Sequence, residues 1–141
     1  MAFRFEFDSI HRIFRIKFSE RVTEDDLTYF YRMAALLVES LDPLSAIIDF
    51  SDVSSFESSA QFIRELAGLP PVMPKMERPR VVVAPKDYVF GLSRLFGVEG
   101  EATRPNFHVV RSTREACAIL GVEEPEFEAI TKALESHGQS S

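Results

Sequence analysis

Residues 46–62 carry the sequence AIIDFSDVSSFESSAQF, and this stretch decides how the chain is folded. Its first five residues, from Ala46 to Phe50, are too few and too uniformly apolar for anything but a strand inside a sheet. A polar segment follows, and the pair Ser58 and Ser59 then opens an amphipathic helix. We therefore expect a buried strand, a loop and a helix N-terminus, which is where α/β proteins usually carry their functional groups.

The composition indicates one globular domain. The chain has 141 residues, of which 45% are hydrophobic, so it is long enough to bury its own core. A net charge of -6 argues against nucleic-acid binding, for which a basic face is typical. The single cysteine, Cys117, cannot form an internal disulfide, and no segment approaches the roughly 18 apolar residues of a membrane span. We expect a cytoplasmic protein without a nucleic-acid partner, with one domain over residues 1–136 and a flexible tail over residues 137–141.

The pattern of the remaining chain predicts further strands and helices. Alternating aromatic and charged residues from Phe3 onward predict an antiparallel hairpin whose second strand ends near Phe18. Thr23, followed by three acids, predicts a helix that continues to about Leu41. The later elements are a helix to Gly68, a valine strand at 80–84, a helix from Asp87, a strand at 107–110, a helix capped by Ser112 and a last helix from Pro125. This ββα, βα, βα, βαα order predicts an α/β fold with a mixed sheet, an N-terminal antiparallel hairpin and crossover helices.

Two sequence patterns resemble one known family. Residues 47–59 read apolar-apolar-Asp-apolar-Ser-Asp-Val, then an aromatic, an acid and two serines, which resembles the central segment of STAS domains, the SpoIIAA-like anti-anti-sigma factors. Residues 84–94, APKDYVFGLSR, resemble an uncharacterised SpoIIAA-like subfamily of the same fold. The resemblance covers nearly the whole chain. It implies a STAS-like fold and a non-enzymatic regulator that acts on a protein partner, such as a kinase or an anti-sigma-like factor.

The resemblance places the family's phosphoacceptor on Ser58, with Glu57 in place of the usual aspartate and Ala60 in place of a glycine. A phosphate at this position would repel a partner that docks on the surrounding surface. The structural alternative is that Ser58 and Gln61 form a capping box at the start of the helix. The candidate partner face comprises Ser58, Ser59, Glu57, Asp49 and Asp52.

Further candidate contacts follow the valine strand. Lys86 and Asp87 lie at a strand-to-helix turn, and Arg94 lies two turns into the helix, where its guanidinium can reach a ligand or partner anion. The alternative is that Asp87 caps the helix and that Arg94 pairs with Glu99 or Glu101. Gly91, in the middle of this helix, indicates close packing or the close approach of a backbone, because glycine there costs about 1 kcal/mol relative to alanine.

A second function is suggested by the apolar side chains. The chain contains 13 phenylalanines, more than a small core requires, although ordinary packing accounts for most of them. The proline-rich loop at 70–79 carries Met73 and Met76, which can cover an apolar opening. STAS domains are topologically similar to lipid-binding CRAL-TRIO domains, which gives the idea an analogy. The alternative function is therefore binding or sensing of a small apolar molecule or lipid in a pocket under this loop.

The sequence favours binding over catalysis. Its three histidines are far apart, and it lacks a glycine-rich phosphate loop and a nucleophile elbow. Asp49 and Asp52 suit a shared cation, but roles as loop caps explain them equally well. We expect no enzyme, no metal and no cofactor. Self-association through the free edge of the N-terminal hairpin is a further expectation.

Overall fold

The computed structural model describes residues 3–75 and 77–130. Its elements are β1 (Phe3–Asp8), β2 (Ile13–Thr23), α1 (Glu24–Leu41), β3 (Ser45–Glu57), α2 (Ala60–Ala67), β4 (Arg80–Val83), α3 (Asp87–Glu99), β5 (Phe107–Val110), α4 (Thr113–Leu120) and β6 (Glu128–Ala129). The strands form one sheet in the order β5-β4-β3-β2-β1-β6. β1 is antiparallel to β2 and β6, whereas β2 to β5 are mutually parallel. The predicted α/β fold with a mixed sheet and an N-terminal hairpin is confirmed, and the expected tail at 137–141 lies outside the described residues.

The central strand β3 sends its side chains alternately into two cores. Ala46 and Phe50 belong to the larger core, which α1, α2 and α3 cover. Ile47 belongs to the smaller core on the other face of the sheet, where α4 packs. Because both faces are covered, the strand requires a continuous apolar run rather than an alternating one. Most of the phenylalanines are used in the larger core, where the ring centres of Phe18 and Phe50 are 5.0 Å apart.

The polar segment after Phe50, predicted to be a loop, is instead the second half of β3. It pairs in parallel with the end of β2, and the last pair in this register is Thr23 with Glu57. Val53 is buried within it, whereas the neighbouring serines face solvent. The prediction was wrong because serine and aspartate are typical turn residues. What holds them extended is the strand β2, which is remote in sequence and could not be identified from the local pattern.

The chain after α4 also differs from the prediction. Within the described residues, the expected helix from Pro125 is replaced by the two-residue strand β6, which pairs with Glu6 and Phe7 of β1. Ile130, predicted to face inward, is buried. β6 therefore covers the outer edge of the hairpin at Glu6 and Phe7. The prediction that this edge is free for self-association is wrong for this part of the strand.

A buried carboxylate fixes the hairpin turn to the segment before β6. Asp8 is fully buried and accepts hydrogen bonds from the main-chain N–H groups of Ile10, His11 and Glu126, at 2.9, 3.1 and 3.1 Å. The ring Nδ1 of His11 also lies 2.8 Å from Oδ2 of Asp8. Burial opposes ionisation, but these hydrogen bonds outweigh it and lower the pKa of Asp8.

The helix termini follow the sequence closely. Thr23 and Asp26 form a reciprocal capping box at the start of α1, and the Ser112 hydroxyl accepts a hydrogen bond from the Glu115 N–H at the start of α4. α4 ends at Gly121, whose φ of 72° lies in the left-handed region that favours glycine. Among residues 3–75 and 77–130, none of the helices combines the length and the apolar character needed to cross a membrane.

The closely packed glycine of α3 is Gly97 rather than Gly91. A Cβ atom at Gly91 would meet no atom within 4 Å, so the predicted close packing at this position is wrong. A Cβ atom at Gly97 would lie 2.7 Å from the ring of Phe107, at the contact between α3 and β5. The sequence could not separate the two glycines, because both occupy helix-interior positions and only the fold shows which one meets the sheet.

We expect opposite effects from alanine at these two positions. Gly91→Ala should raise the free energy of unfolding by about 0.5–1 kcal/mol, because alanine restricts the unfolded chain and favours the helix. Gly97→Ala should lower it by about 1–3 kcal/mol, because the ring of Phe107 must move. Urea unfolding of both variants measures the difference, and an equal gain from both would contradict the close contact at Gly97.

Candidate functional site

Ser58 lies where the end of β3 meets the start of α1. Its half-buried hydroxyl donates to Oε2 of Glu24 at 3.2 Å, and the same oxygen accepts the main-chain N–H of Ser59 at 3.0 Å. The main-chain carbonyl of Ser58 accepts a hydrogen bond from the Tyr88 hydroxyl at 2.5 Å. One carboxylate therefore connects the first turn of α1 to the start of α2, and a tyrosine of α3 binds at the same junction.

The helix cap is Ser59 and not Ser58. The Ser59 hydroxyl accepts the N–H of Phe62 at 3.1 Å, whereas the side chain of Gln61 turns away and donates to Glu65 at 3.3 Å. The predicted capping box of Ser58 with Gln61 is therefore wrong by one residue, because two adjacent serines offered two possible starts. Ser58 therefore does not cap the helix, and the structural role of its hydroxyl is instead the hydrogen bond to Glu24.

Lys86 and Asp87, predicted as ligand or partner contacts, lie at the end of β4 beside this junction. Lys86 Nζ is 3.4 Å from the main-chain oxygen of Ser54 in β3. Asp87 does not cap α3, since the N-cap is Lys86; its exposed carboxylate pairs with Nη1 of Arg111 at 2.6 Å. We call the surface formed by Ser58, Ser59, Lys86 and Tyr88 the serine face.

The three acids predicted on the partner face have other roles. Asp49 is 2% exposed and binds within its own strand, so it does not reach the surface. Asp52 is exposed and pairs with Lys17 at 3.3 Å. Glu57 pairs with Arg21, and the hydrogen bond from that guanidinium lowers the pKa of Glu57. Asp49 and Asp52 do not form a joint cation site, and the described part of the chain contains no group of three His, Cys, Asp or Glu side chains arranged for a metal ion.

Arg94 lies apart from the serine face on the exposed side of α3. Its guanidinium carbon is 6.0 Å from the ring centre of Phe90. The predicted ion pair with Glu99 is not the one that forms, because Glu99 pairs with Arg64 of α2 at 3.6 Å. The structure therefore brings Lys86 to the end of β3 at Ser54, whereas Arg94 lies further along α3.

An apolar cavity of about 100 Å³ lies between the sheet and the three helices that cover it. Val72 and Met73 of the proline-rich segment contribute to its lining, whereas Met76 lies outside the described residues. The apolar lining consists of Phe14, Ile16, Leu27, Phe30, Ala46, Ile48, Phe50, Phe56, Ile63, Leu66, Val72, Met73, Val82, Leu92, Phe96 and Phe107.

Arg104 is a cationic group in the wall of this cavity. It is 3% exposed, and it donates to the main-chain carbonyls of Ala67 and Leu69 at 2.9 and 3.0 Å. It also donates to the hydroxyl of Tyr31, and its guanidinium carbon lies 4.7 Å from the ring centre of Phe96. Hydrogen bonds and a ring face thus support the buried charge.

Arg80 is the second buried cation in the wall. It is 7% exposed and donates to the carbonyls of Met73 and Lys75. Burial lowers the pKa of Arg80, and the charge of Arg104 lowers it further, so the two guanidinium groups are close enough to repel each other. Burial also raises the pKa of Tyr31, although Arg104 opposes this.

Neither arginine is evident as a site residue in the sequence. Arg80 opens a valine strand, and Arg104 ends a polar loop, and charged residues at such positions are usually solvated. The signal that could have identified Arg80 is its position as the first residue of a strand of valines, all of which are buried.

The fold is similar to two solved structures. The first is the anti-sigma factor antagonist SpoIIAA in its unphosphorylated form, with a TM-score of 0.59, 12% sequence identity and coverage of 87% of this chain and 100% of that chain. The second is an uncharacterized protein of the DUF3478 family with a SpoIIAA-like fold from Shewanella loihica PV-4, with a TM-score of 0.48, 17% identity and coverage of 77% and 83%. The chain matches no protein-family model and no curated protein sequence. The fold is SpoIIAA-like, as the sequence resemblance implied.

We expect the Glu24 carboxylate to stabilise the junction of α1 and α2. Glu24→Ala should lower the free energy of unfolding by about 1–2 kcal/mol and speed the hydrogen exchange of the Ser59 amide, because that N–H loses its charged acceptor. Asp25→Ala is the matched control, since this acid shares the first turn of α1 and is exposed. Urea unfolding and amide exchange measure the two effects. If both substitutions have the same effect, Glu24 acts only through its charge at the start of α1, and the hydrogen bond to Ser59 adds no stability.

Proposed function

We propose that this chain, which has a SpoIIAA-like fold, is a non-enzymatic cytoplasmic regulator that acts by binding a protein partner through the serine face. A partner kinase or an anti-sigma-like factor fits the fold it shares with SpoIIAA. The observation that supports this best is the position of the Ser58 hydroxyl, which is half-buried, unused as a helix cap and 3.2 Å from the Glu24 carboxylate. A change at this hydroxyl acts on α1, β3 and α2 together.

Phosphorylation of Ser58 would disrupt this junction by electrostatic repulsion. The phosphate would add a charge of about −1.5 to −2 beside the carboxylate of Glu24. The two anions would compete for the Ser59 N–H, which now donates to Glu24 at 3.0 Å. Displacement of Glu24 would change both the charge and the shape of the serine face, and a partner that recognises the unmodified face would dissociate.

We expect a charged substitution at Ser58 to abolish partner capture. Ser58→Asp should reduce the recovery of the specific partner from lysate of the native host at least about tenfold, whereas Ser58→Ala should retain it. Ser40→Asp is the control, because this exposed serine lies 16 residues along α1 from Glu24, or about 24 Å away. Quantitative mass spectrometry of the captured proteins provides the measurement. If Ser58→Asp and Ser58→Ala recover the partner equally, the switch at Ser58 is rejected.

The apolar cavity favours a second candidate function, the binding of a small apolar ligand. Its lining is almost entirely apolar, and it lies partly under the segment that carries Met73. Cavities of this kind in other proteins bind small hydrocarbons, as an engineered cavity of about 150 Å³ binds benzene. The lining of the cavity includes none of the four residues of the serine face, so the two functions do not exclude each other.

We expect benzene to bind in the cavity with a Kd below about 1 mM, a range that is within reach of a ligand with six heavy atoms. Saturable changes in the methyl NMR signals of Ile48 and Val82 would report binding. Ala46→Leu should abolish these changes by filling the cavity, whereas Ala118→Leu, an exposed site on α4, should not affect them. Saturable changes that persist in Ala46→Leu would place the ligand elsewhere.

A further inference from the structure

We propose that the ligand of this cavity is a small organic acid, whose carboxylate binds at Arg104 beside Arg80 and Tyr31 and whose apolar body fills the phenylalanine-lined space. This inference rests on the proposed ligand-binding function and specifies its chemical class.

The charge of the cavity wall supports an anionic ligand. Among the described residues that line the cavity, two are cationic, Arg80 and Arg104, and none is acidic. The two guanidinium groups repel each other, as the lowering of the Arg80 pKa by Arg104 indicates. An anion bound at this wall would offset the repulsion, and in a poorly solvated wall the attraction is stronger than in water.

The groups that bind Arg104 indicate that the ligand carries a single negative charge. Within residues 3–75 and 77–130, the groups that it binds are neutral: two main-chain carbonyls, the hydroxyls of Tyr31 and Thr103, and the ring of Phe96. Arg80, by contrast, is attracted by the exposed carboxylate of Glu77. Arg104 is therefore a buried cation without an acidic partner among the described residues, and the carboxylate of a ligand would supply that partner.

The polar groups at this end of the cavity suit a carboxylate. A guanidinium presents its N–H groups in a planar fork that matches the two oxygens of a carboxylate. Binding would exchange neutral acceptors of Arg104 for a charged one, which forms stronger hydrogen bonds. The Tyr31 hydroxyl, which now donates to the carbonyl of Pro70 at 3.2 Å, is placed to turn its proton toward the ligand.

The cavity volume limits the apolar body of the acid. At about 100 Å³, the space is smaller than the engineered cavity that binds benzene. A six-carbon acid whose carboxylate lies in the wall places about five carbons in this space, fewer than the six of benzene, whereas a long-chain fatty acid is too large for it.

The test compares hexanoate with hexanamide, a neutral ligand of the same shape, on the full chain. Hexanoate should bind about 10- to 100-fold more tightly at pH 7, measured by calorimetry and by the NMR signals of Ile48 and Val82, because hydrogen bonds to a charged group are stronger than neutral ones. Equal or tighter binding of hexanamide would overturn the inference while leaving the ligand-binding function intact. If benzene, hexanoate and hexanamide all fail to bind, both the inference and the proposed ligand function are overturned.

Substitutions in the cavity wall test where the carboxylate of the ligand binds. Arg104→Met should reduce the preference for hexanoate to less than about threefold while retaining the binding of hexanamide, and Arg32→Met, at an exposed arginine of α1, should leave the preference unchanged. Should Arg104→Met fail to fold, Tyr31→Phe removes only a hydroxyl and should weaken hexanoate binding severalfold more than hexanamide binding. An unchanged preference in either folded variant would overturn the assignment.

Discussion

The parallel pairing of β3 with β2 is the interaction on which the other elements depend. At residues 46–49, β3 also pairs with β4 and is therefore an interior strand. Because both faces of the sheet are covered there, the strand needs apolar side chains on both of its faces, which explains its buried run. Beyond Asp49, β2 alone holds β3 in an extended conformation. Because Thr23 is paired with Glu57, β2 enters α1 at the point where β3 approaches α2. The contact between Glu24 and Ser58 is therefore a result of strand register.

The same parallel arrangement separates the two candidate functions. The serine face lies at the carboxyl ends of β3 and β4, whereas the buried arginines lie at the amino ends of β4 and β5. Six residues separate Arg80 from Lys86, which corresponds to about 20 Å at the rise of a strand. The connection between the two ends passes through β4 and the adjacent helix α3, which contributes Tyr88 to the first site and Leu92 and Phe96 to the second.

The sequence predicted what local periodicity and capping determine. The hairpin, α1 with its Thr23 cap, the valine strand and the helix after Ser112 are all confirmed, because each depends on residues close together in the chain. The predictions failed where a distant partner decides the outcome: the serine-rich half of β3 needs β2, and the segment after Pro125 pairs with β1. The cation pair of the cavity was missed for the same reason, since burial of Arg104 depends on α1 and α2, which precede it by many residues.

The arginines of the cavity wall bind the main chain within and directly before the proline-rich segment. Arg80 binds the carbonyl oxygens of Met73 and Lys75, and Arg104 binds that of Leu69; every amino acid, proline included, supplies such an oxygen. Prolines suit this segment, because they present carbonyls while adding no N–H donor that needs a partner. In the course of evolution, solvent-facing side chains of this segment are therefore less constrained than its path, except for Lys75, which pairs with Asp42, and Glu77, which attracts Arg80.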